Sequence, residues 1–259
     1  MTTFFKYHGA GNDFIMIDNR NGSFNIKNTK NIKLLCDRHF GIGADGIILL
    51  EKQKKYDFKM VYINSDGSIG SMCGNGGRCI VDFTYSILKI IKNPQNINFL
   101  AADGEHKAEI LADGQIKLKM QDVNNIGIRN GLTFLCSGTT PHNIMFVENL
   151  NGFPVFETGQ KIRNSDPDGV NINFVEIKND IVNVRTYERG VEDETLACGT
   201  GAISVAIACS YLNKIKSNIC YIKMPGGDLT VEFEKNKNGS YKNIYLTGPA
   251  VCVFKGEIK

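Results

Sequence analysis

The stretch that decides the fold is Cys73-Gly74-Asn75-Gly76-Gly77-Arg78-Cys79, and a second stretch, Cys198-Gly199-Thr200-Gly201-Ala202, repeats its opening. Each begins with Cys-Gly-x-Gly and continues into an apolar segment, residues 80–91 and 202–212, for which the pattern predicts a helix. Each also follows a run typical of a β-strand and then a polar loop. The sequence therefore predicts two copies of one unit, in which a strand, a loop and a cysteine lead into a helix.

The position of the two cysteines gives them a reactive setting. A residue that precedes a helix lies beside backbone N–H groups that have no acceptor within the helix and at the positive end of the helix dipole, which favours a thiolate. The neighbouring glycines let a ligand approach the same N–H groups, as anions do at helix N-termini. Two such positions predict two thiols that act on one small acidic substrate.

The spacing of these features indicates an internal duplication. The two cysteines are 198 − 73 = 125 residues apart, and the loops at Asn12 and Thr140 are 140 − 12 = 128 residues apart. A repeat of this period predicts two similar α/β halves, with the active site in the cleft between them and one cysteine on each wall. Because residues 121–130 are polar and rich in Gly and Asn, a domain boundary is predicted there. The predicted domains are 1–122, completed by 249–259, and 123–248.

Hydrophobic periodicity predicts the remaining elements. Further helices are expected at 28–40 and 156–164. Strands are expected at 3–7, 14–18, 47–50, 58–63 and within 172–187. Two Asp-Gly pairs predict hairpin turns between short strands, at Asp103-Gly104 and Asp113-Gly114.

Composition excludes several classes of function. The 259 residues are 42% hydrophobic and 22% charged, and the net charge of +3 is spread over single lysines rather than a basic patch, so no nucleic-acid partner is expected. No apolar run approaches the ~20 residues that span a bilayer, so no membrane association is expected. The N-terminal sequence lacks the pattern of a signal peptide, and we expect a cytoplasmic protein.

The eight cysteines do not have the spacing of a disulfide framework or a metal site. There is no Cys-x-x-Cys, and Cys73 and Cys79 are six residues apart, so no metal is expected. Cys79 and Cys209 lie inside the helical segments and are expected in the core. The cysteines in apolar segments are expected to be small buried hydrophobic residues: Cys36, Cys136, Cys209, Cys220 and Cys252.

Two other classes of function are weaker hypotheses. Residues 41–46, GIGADG, match the Gly-x-Gly-x-x-Gly pattern of dinucleotide-binding oxidoreductases, and Asp66 follows 66 − 46 = 20 residues later. A helix precedes these glycines and a strand follows, which is the reverse of the order that such a site requires. A non-catalytic binding module would retain the glycine loops but would have no use for a thiol at both helix starts.

The residues allow proton transfer at a carbon atom without a cofactor. A substrate carboxylate placed between the helices would accept hydrogen bonds from the N–H groups of Gly74, Asn75, Gly199 and Thr200, which would also stabilise the negative charge that develops as the α-proton leaves. One cysteine, as thiolate, would remove the proton from one face. The other, as thiol, would deliver a proton to the opposite face and invert the centre.

The motifs as a set resemble the diaminopimelate epimerase family along the whole chain. They are HGAGNDF, GIGADGI, NSDGS, MCGNGGRC, GTTPH, VNINF, ERGVEDETLACGTG and LTGPAV, between residues 8 and 251. The resemblance implies two pseudo-symmetric domains, each a mixed, β-barrel-like sheet around a central helix. It also implies a pyridoxal-independent enzyme that interconverts LL- and meso-2,6-diaminopimelate, in the pathway to lysine and peptidoglycan precursors, and a homodimer.

The resemblance also implies roles for individual residues. Cys73 and Cys198 match the two acid–base cysteines. Three asparagines match positions that contact substrate: Asn12, Asn64 and Asn171. Two pairs match the backbone clamp on the reacting centre: Gly74-Asn75 and Gly199-Thr200.

Three further side chains match positions with electrostatic roles. Glu188 and Arg189 match a pair that binds the charged groups of the substrate, which suits a carboxylate that accepts from an ammonium and a guanidinium that grips a carboxylate. His142 and Glu188 match positions that adjust the acidity of the cysteines.

Two positions depart from the family pattern. Thr140 stands where the family usually has Asn before Pro-His, and Gly46 stands where some relatives have Gln. Neither change affects the proton-transfer residues, but both bear on substrate recognition. The close alternative is therefore a cofactor-independent racemase or epimerase of another amino acid on the same fold. The pair Glu188-Arg189 favours a substrate with a second charged amino-acid end.

Overall fold

The protein has a sheet-rich α+β fold, which confirms the predicted mixed class. A computed structural model describes residues 1–137, 140–166 and 169–258. The chain divides into two compact units, Met1–Leu118 together with the segment from Gly248 onward, and Lys119–Thr247. The domain limits predicted from the sequence, 1–122 with 249–259 and 123–248, remain a prediction.

The first unit contains two helices, α1 (Thr29–Cys36) and α2 (Gly74–Asp82), and a π-helical turn follows α2 at Phe83–Ile87. Its strands are β1 (Thr2–Gly9), β2 (Asn12–Asp18), β3 (Gly46–Glu51), β4 (Phe58–Asn64), β5 (Ile97–Ala101), β6 (Gly104–Ile110), β7 (Ile116–Lys119) and the C-terminal β17 (Val251–Ile258). β1 pairs antiparallel with both β17 and β2. From β2 to β6 the successive pairings are parallel, antiparallel, parallel and antiparallel, and β6 pairs antiparallel with β7.

The second unit contains helices α3 (Val155–Ser165) and α4 (Gly199–Tyr211). Its strands are β8 (Ile126–Arg129), β9 (Leu132–Ser137), β10 (Thr140–Phe146), β11 (Asn171–Lys178), β12 (Ile181–Glu188), β13 (Asp193–Thr195), β14 (Ile219–Met224), β15 (Gly227–Lys235) and β16 (Tyr241–Gly248). β9 pairs antiparallel with both β8 and β10. β10 pairs parallel with β11, which pairs antiparallel with β12. β12 pairs parallel with β14, and antiparallel pairings then join β14 to β15 and β15 to β16.

Each unit therefore repeats one order of strand pairings, and this confirms the predicted pseudo-symmetry. In each, the second parallel connection contains the helix that follows a motif cysteine. Helix α2 contacts β1, β2, β3, β4 and β6, and α4 contacts β9, β10, β11, β12, β14 and β15, so each helix is surrounded by the strands of its own unit. Helix α4 is buried from Gly201 to Ser210, as expected for a helix that is apolar on every side.

The start of α2 differs from the prediction. The sequence predicted a helix over 80–91, whereas α2 begins at Gly74 and the π-helical turn ends at Ile87. The glycines are helical because they allow close packing: a Cβ at Gly76 would lie 2.6 Å from Ile48 Cδ1. Glycine is an unfavourable residue inside an isolated helix, so tertiary packing overrides propensity here.

The end of α1 also differs from the prediction. The helix predicted over 28–40 ends at Cys36, because the Asp37 carboxylate accepts the N–H groups of His39 and Phe40 and forms a turn. The helix predicted over 156–164 is confirmed as α3, and both Asp-Gly hairpin turns are confirmed between β5, β6 and β7.

The predicted burial of the cysteines is confirmed for four of them and wrong for two. Cys36, Cys79, Cys209 and Cys220 are buried. Burial raises the pKa of Cys36 to about 11 and that of Cys220 to about 12, so these thiols stay protonated. Cys136 is exposed and Cys252 is partly exposed, because the outward positions of a strand can be apolar without being covered.

The described part of the chain lacks two kinds of feature. No helix there is long and apolar enough to cross a membrane. No group of three or more His, Cys, Asp and Glu side chains within the same residues is arranged to hold a metal ion.

Candidate active site

Both motif cysteines are the N-cap residues of the central helices. Cys73 is extended (φ −105°, ψ 118°), and its Sγ accepts the Gly76 N–H at 3.5 Å. Cys198 is also extended (φ −124°, ψ 113°), and its Sγ accepts the Gly201 N–H at 3.4 Å. Each sulfur thus takes the place of the hydroxyl or carboxylate oxygen that usually caps a helix. The predicted placement at the two helix starts is confirmed.

Cys73 lies in a cluster with two asparagines. Cys73 Sγ donates to Asn12 Oδ1 at 3.5 Å, and Asn75 Nδ2 donates to the same oxygen at 3.2 Å. On its other side, Asn12 Nδ2 donates to Asp45 Oδ2 at 2.6 Å, as expected for a charge-assisted bond. The structure therefore brings together three of the predicted residues and adds Asp45 to them.

Strand register explains how Asn64 comes to the same face of the sheet as Asn12. Phe14 pairs with Gly46, and Gly46 pairs with Asn64, so these three positions lie side by side across β2, β3 and β4. Because alternate residues of a strand share a face, Asn12 lies on the face of Phe14 and Asn64. Asn64 Nδ2 donates to Ser68 Oγ at 3.0 Å.

Gly46 occupies a position that has no room for a side chain. A Cβ at this residue would lie 2.5 Å from the Ile63 carbonyl oxygen and 2.6 Å from the Tyr62 ring. A backbone atom of the paired strand cannot move aside without breaking the sheet. The backbone at this position therefore accommodates Gly46 and not the Gln that some relatives have there.

A network of charges surrounds the loop that carries Asn12. Asp13 forms ion pairs with Lys6 at 2.7 Å and with Arg38 at 2.8 Å, and Arg38 also reaches Asp45 at 2.7 Å. Burial alone would raise the pKa of Asp13, but its hydrogen bonds to Arg38 and Lys6 lower it to about 2. Burial and the neighbouring Asp13 carboxylate raise the pKa of Asp45 above its usual value. Lys6 Nζ also donates to the Gly43 carbonyl oxygen.

In the second unit a chain of hydrogen bonds leads to Cys198. Thr200 Oγ1 lies 3.5 Å from Cys198 Sγ and 3.0 Å from His142 Nε2. Asn173 Nδ2 lies 3.1 Å from His142 Nδ1, and Thr186 Oγ1 donates to Asn173 Oδ1 at 3.0 Å. A Cβ at Gly201 would lie 2.6 Å from Asn173 Oδ1, so the absence of a side chain at this residue leaves room for the hydrogen-bonded Asn173 amide beside α4.

His142 is fully buried and neutral. Burial, helped by the positive charge of Arg189, lowers its pKa to about 3. Because the Asn173 amide donates to Nδ1, the imidazole carries its proton on Nε2 and donates it to Thr200 Oγ1. The Thr200 hydroxyl can then donate to the sulfur of Cys198.

The other predicted residues of the second unit are close to one another at the ends of β11 and β12. Asn171 pairs with His142 across the sheet, and its Oδ1 accepts the backbone N–H of Arg189 at 2.8 Å. The Arg189 side chain donates to the Gly169 carbonyl oxygen at 3.3 Å. Glu188 Oε2 accepts from Thr195 Oγ1 at 3.0 Å.

The two units share one strand register but have different side chains at the equivalent positions. The pairing of Phe14 with Gly46 corresponds to that of His142 with Asn171. The equivalent positions are therefore Asn12 and Thr140, Phe14 and His142, Gly46 and Asn171, and Asn64 and Glu188. The scaffold is duplicated, but the chemistry around the two cysteines is not.

The residues that were not predicted include four that extend the hydrogen-bond chains at Cys73 and Cys198: Asp45, Arg78, Asn173 and Thr186. The first three lie inside the quoted motifs, but spacing along the chain does not reveal their partners. Arg78 is buried within α2 and donates to Asn75 Oδ1 at 2.9 Å. Thr186 belongs to no motif, and only strand pairing with Asn173 indicates it.

Comparison with solved structures defines the class of fold. A phenazine biosynthesis protein of the PhzF family from Bacillus anthracis superposes with a TM-score of 0.77 at 15% identity, over 100% of this chain and 99% of that one. A hydroxyproline epimerase from Agrobacterium vitis, solved with bound trans-4-hydroxy-L-proline, gives a TM-score of 0.72 at 15% identity, over 99% and 90%. The fold is therefore the one shared by PhzF proteins and two-domain amino-acid epimerases.

Sequence comparison places the chain within that class. The profile of the family described as diaminopimelate epimerase matches residues 4–126 and 134–253. Diaminopimelate epimerase from Flavobacterium psychrophilum is 50% identical over 258 residues, which cover 98% of this chain and 99% of that protein. The enzyme from Chlorobaculum tepidum is 42% identical, over 96% and 98%. The chain belongs to the diaminopimelate epimerase family.

Proposed function

We propose that this protein is an isomerase that interconverts LL- and meso-2,6-diaminopimelate, in the biosynthesis of lysine and peptidoglycan precursors. Membership of the family and full-length similarity to relatives with this activity support the substrate. The observation that carries the mechanism is the capping of both central helices by a cysteine sulfur. A sulfur held beside helical N–H groups is stabilised as a thiolate, which can accept a proton.

The reaction removes the proton on one face of the α-carbon and adds a proton on the opposite face. One cysteine, as thiolate, removes the α-proton, and the other, as thiol, delivers a proton to the opposite face. The C–H bond breaks and the new C–H bond forms with no change of oxidation state, and the two sulfurs exchange protonation states. The chemistry requires Cys73 and Cys198 to reach one α-carbon from opposite faces, and it needs no pyridoxal cofactor.

The helix N-termini supply the stabilisation that this step requires. Removal of the α-proton places negative charge on the carboxylate of the substrate. The N–H groups of Gly74, Asn75, Gly199 and Thr200 are those of the first helical residues, which have no acceptor within α2 and α4. Preorganised donors of this kind lower the barrier as the charge develops.

The remaining predicted residues are proposed to recognise the substrate. Asn171 uses its oxygen to hold the Arg189 backbone, so it offers an N–H donor. Glu188 and Arg189 are proposed to bind the ammonium and the carboxylate of the distal amino-acid end. Asn12 and Asn64 are proposed to contact the substrate from the first unit.

Two residues are proposed to adjust the acidity of the cysteines. The neutral imidazole of His142 acts on Cys198 through the Thr200 hydroxyl, and it can serve as donor without carrying a charge. Glu188 is proposed as the second adjusting group, since a carboxylate close to a sulfur favours the thiol.

The alternative on the same fold is epimerisation of another amino acid. Gly46 excludes a side chain, and Thr140 replaces an amide by a hydroxyl, so both could change the preferred substrate. Relatives at 50% and 42% identity that are diaminopimelate epimerases favour the first substrate.

The deciding experiment is proton NMR in D₂O with LL-diaminopimelate and reduced protein, without added cofactor. Loss of the α-proton signal together with formation of the meso isomer is expected. Cys73→Ser and Cys198→Ser should abolish net epimerisation with the fold intact, whereas Cys136→Ser, at an exposed position, is the matched control. No exchange by the folded wild type would refute the substrate, and a panel of amino acids would then test the alternative.

We also propose a homodimer and a cytoplasmic location. Strand β17 exposes Val251, Val253 and Phe254 by 41%, 54% and 48%, and apolar side chains on an exposed strand suit a surface for a second copy. Val253→Lys should then convert a dimer to a monomer in analytical ultracentrifugation; a wild type that sediments as a monomer would refute the proposal. The thiols of Cys36 and Cys209 are not in disulfides, which suits a reducing compartment.

A further inference from the structure

The turn between β12 and β13 is held by an exposed glutamate, Glu192. The Glu192 N–H donates to the Glu188 carbonyl oxygen at 2.8 Å, which closes the turn. Its Oε1 accepts the Gly190 N–H at 3.0 Å, and its Oε2 accepts from the Tyr187 hydroxyl at 3.4 Å. The main chain and the side chain of Glu192 therefore both bind the segment that carries Glu188 and Arg189.

The backbone of Glu192 has a conformation that a glutamate rarely adopts. Its φ is 57°, in the left-handed region that favours Gly, Asn and Asp. The hairpin between β11 and β12 shows the usual choice, since its two central residues, Asn179 and Asp180, have φ values of 51° and 63°. A strained backbone of this kind persists where its surroundings impose it, and such residues cluster at functional sites. A glutamate at this position therefore indicates a role of its side chain.

The Glu192 carboxylate also forms an ion pair with Arg163, in the last turn of α3. Arg163 Nη2 lies 3.2 Å from Glu192 Oε1, and the side chains are 25% and 45% exposed. Because the pair is partly exposed, it adds little to stability. Its effect is geometric, since it ties the tip of the turn to a helix that packs tightly on the preceding strand. A Cβ at Gly159 of α3 would lie 2.5 Å from Tyr187 Cβ.

Arg163 and Arg189 lie side by side on the backbone of Gly169. A Cβ at Gly169 would lie 2.8 Å from Arg163 Nη1 and 2.9 Å from Arg189 Cδ, so the two side chains occupy the space that a side chain there would need. Arg189 Nη1 donates to the Gly169 carbonyl oxygen at 3.3 Å. Two positive side chains this close repel each other, and the carboxylate of Glu192 compensates the charge of Arg163. The position of the Arg189 side chain thus depends on Glu192 through Arg163.

Arg189 is close to the hydrogen-bond chain of Cys198. Its backbone N–H donates to Asn171 Oδ1 at 2.8 Å, and Asn171 pairs with His142 across the sheet. Its positive charge helps to lower the pKa of His142. A shift of Arg189 would therefore change the part of the second unit where the substrate is proposed to bind.

We propose that Glu192 and Arg163 are positioning residues for substrate recognition. Their ion pair fixes the turn at residues 189–192 and holds the Arg189 guanidinium against Gly169, in place for the distal carboxylate of the substrate. Neither residue takes part in the proton transfer. The inference rests on the proposed function for the identity of the substrate, whereas the hold on Arg189 is a property of the second unit itself.

This role has a kinetic signature. The distal end of the substrate does not change as the α-proton moves, so a contact with it is equally strong in the ground state and the transition state. Loss of such a contact raises KM and leaves kcat within about twofold. An Arg189 side chain that is not held in advance must be ordered by the substrate, which lowers affinity about two- to tenfold.

The first variant to measure is Glu192→Gly, in reduced full-length protein with LL-diaminopimelate. It removes the carboxylate but relieves the backbone, because glycine adopts a positive φ without strain. KM should rise about two- to tenfold under conditions where urea unfolding shows the variant to be fully folded. If Glu192 only shaped the turn, glycine would serve as well, so a wild-type KM would overturn the inference.

Three other variants separate this hold from other effects. Glu192→Gln keeps an oxygen that can accept from Gly190 and Arg163, and it should keep KM within about twofold of the wild type. Arg163→Met keeps the apolar stem without the guanidinium and should raise KM as Glu192→Gly does. Because the two residues act as a pair, the double variant should be no worse than the larger single one. Asp180→Gly relieves a positive φ at the opposite end of β12 and should leave KM unchanged.

Additive effects of Glu192→Gly and Arg163→Met, or an equal rise of KM in Asp180→Gly, would overturn the inference. Hydrogen exchange of the peptide that contains residues 188–192 tests the hold without substrate. Exchange should be faster in Arg163→Met protein than in the wild type, and unchanged exchange would also overturn the inference. Absence of wild-type activity on diaminopimelate would refute the proposed substrate but leave the exchange result valid.

Discussion

The hydrogen-bond chain at Cys198 can be tested by removing one hydroxyl. Thr200→Val keeps the shape of the side chain and the backbone N–H at the helix start, but it removes Oγ1. The imidazole Nε2–H of His142 then loses its 3.0 Å partner in a fully buried position. A buried donor without a partner costs about 1–3 kcal/mol, so the free energy of unfolding should fall by this amount. The loss is measured by urea denaturation.

The same substitution should slow the reaction. The sulfur of Cys198 loses a contact at 3.5 Å, and one neutral hydrogen bond contributes about 0.5–1.5 kcal/mol. Since about 1.4 kcal/mol is a tenfold change in rate, kcat should fall about two- to tenfold. Thr200→Ser retains the hydroxyl and is the matched control. If Val and Ser variants have equal stability and equal kcat, the chain from His142 does not act on Cys198.

Three further predictions concern other parts of the site. The pKa of His142 is about 3 in the folded protein and near its ordinary 6.5 in the unfolded chain, so unfolding binds a proton between these pH values. The free energy of unfolding should therefore fall by about 1.4 kcal/mol per pH unit as the pH decreases from 6.5 to 3. His142→Gln should remove this dependence in urea titrations at several pH values. Gly46→Ala should lower the free energy of unfolding by about 1–3 kcal/mol, because its Cβ meets the Ile63 carbonyl oxygen at 2.5 Å, and a variant as stable as the wild type would contradict this geometry. Mild oxidation should inactivate the enzyme by joining Cys73 to Cys198, and a reductant should restore activity; oxidised, inactive protein without that crosslink in mass spectrometry would count against the two-thiol mechanism.

Sequence patterns predicted the features that depend on residues close to one another in the chain. A cysteine before glycines and an apolar run was enough to place Cys73 and Cys198 at helix starts, because capping depends on neighbours in the chain. The repeat distance indicated the duplication, since equal spacing of similar segments follows from a repeated fold. Boundaries were less predictable: α2 begins at Gly74 only because its glycines pack closely against Ile48 and other neighbours.

Burial of single residues in strands was predicted less well. Cys136 lies in an apolar segment but points outward from β9. Side chains alternate between the two faces of a strand, and either face of this apolar strand could have been the buried one. The tertiary structure alone decides which face that is.

The sequence by itself determined the family, the two reactive thiols and the two similar halves. Only the tertiary structure placed Phe14 where the second unit has His142, and Gly46 where it has Asn171, because strand register pairs residues that are far apart in the chain. Only the tertiary structure, too, joined Arg78 to Asp45 through two amides. The physical reason is that a hydrogen bond needs a partner at about 3 Å, and which residues come that close is set by packing rather than by spacing.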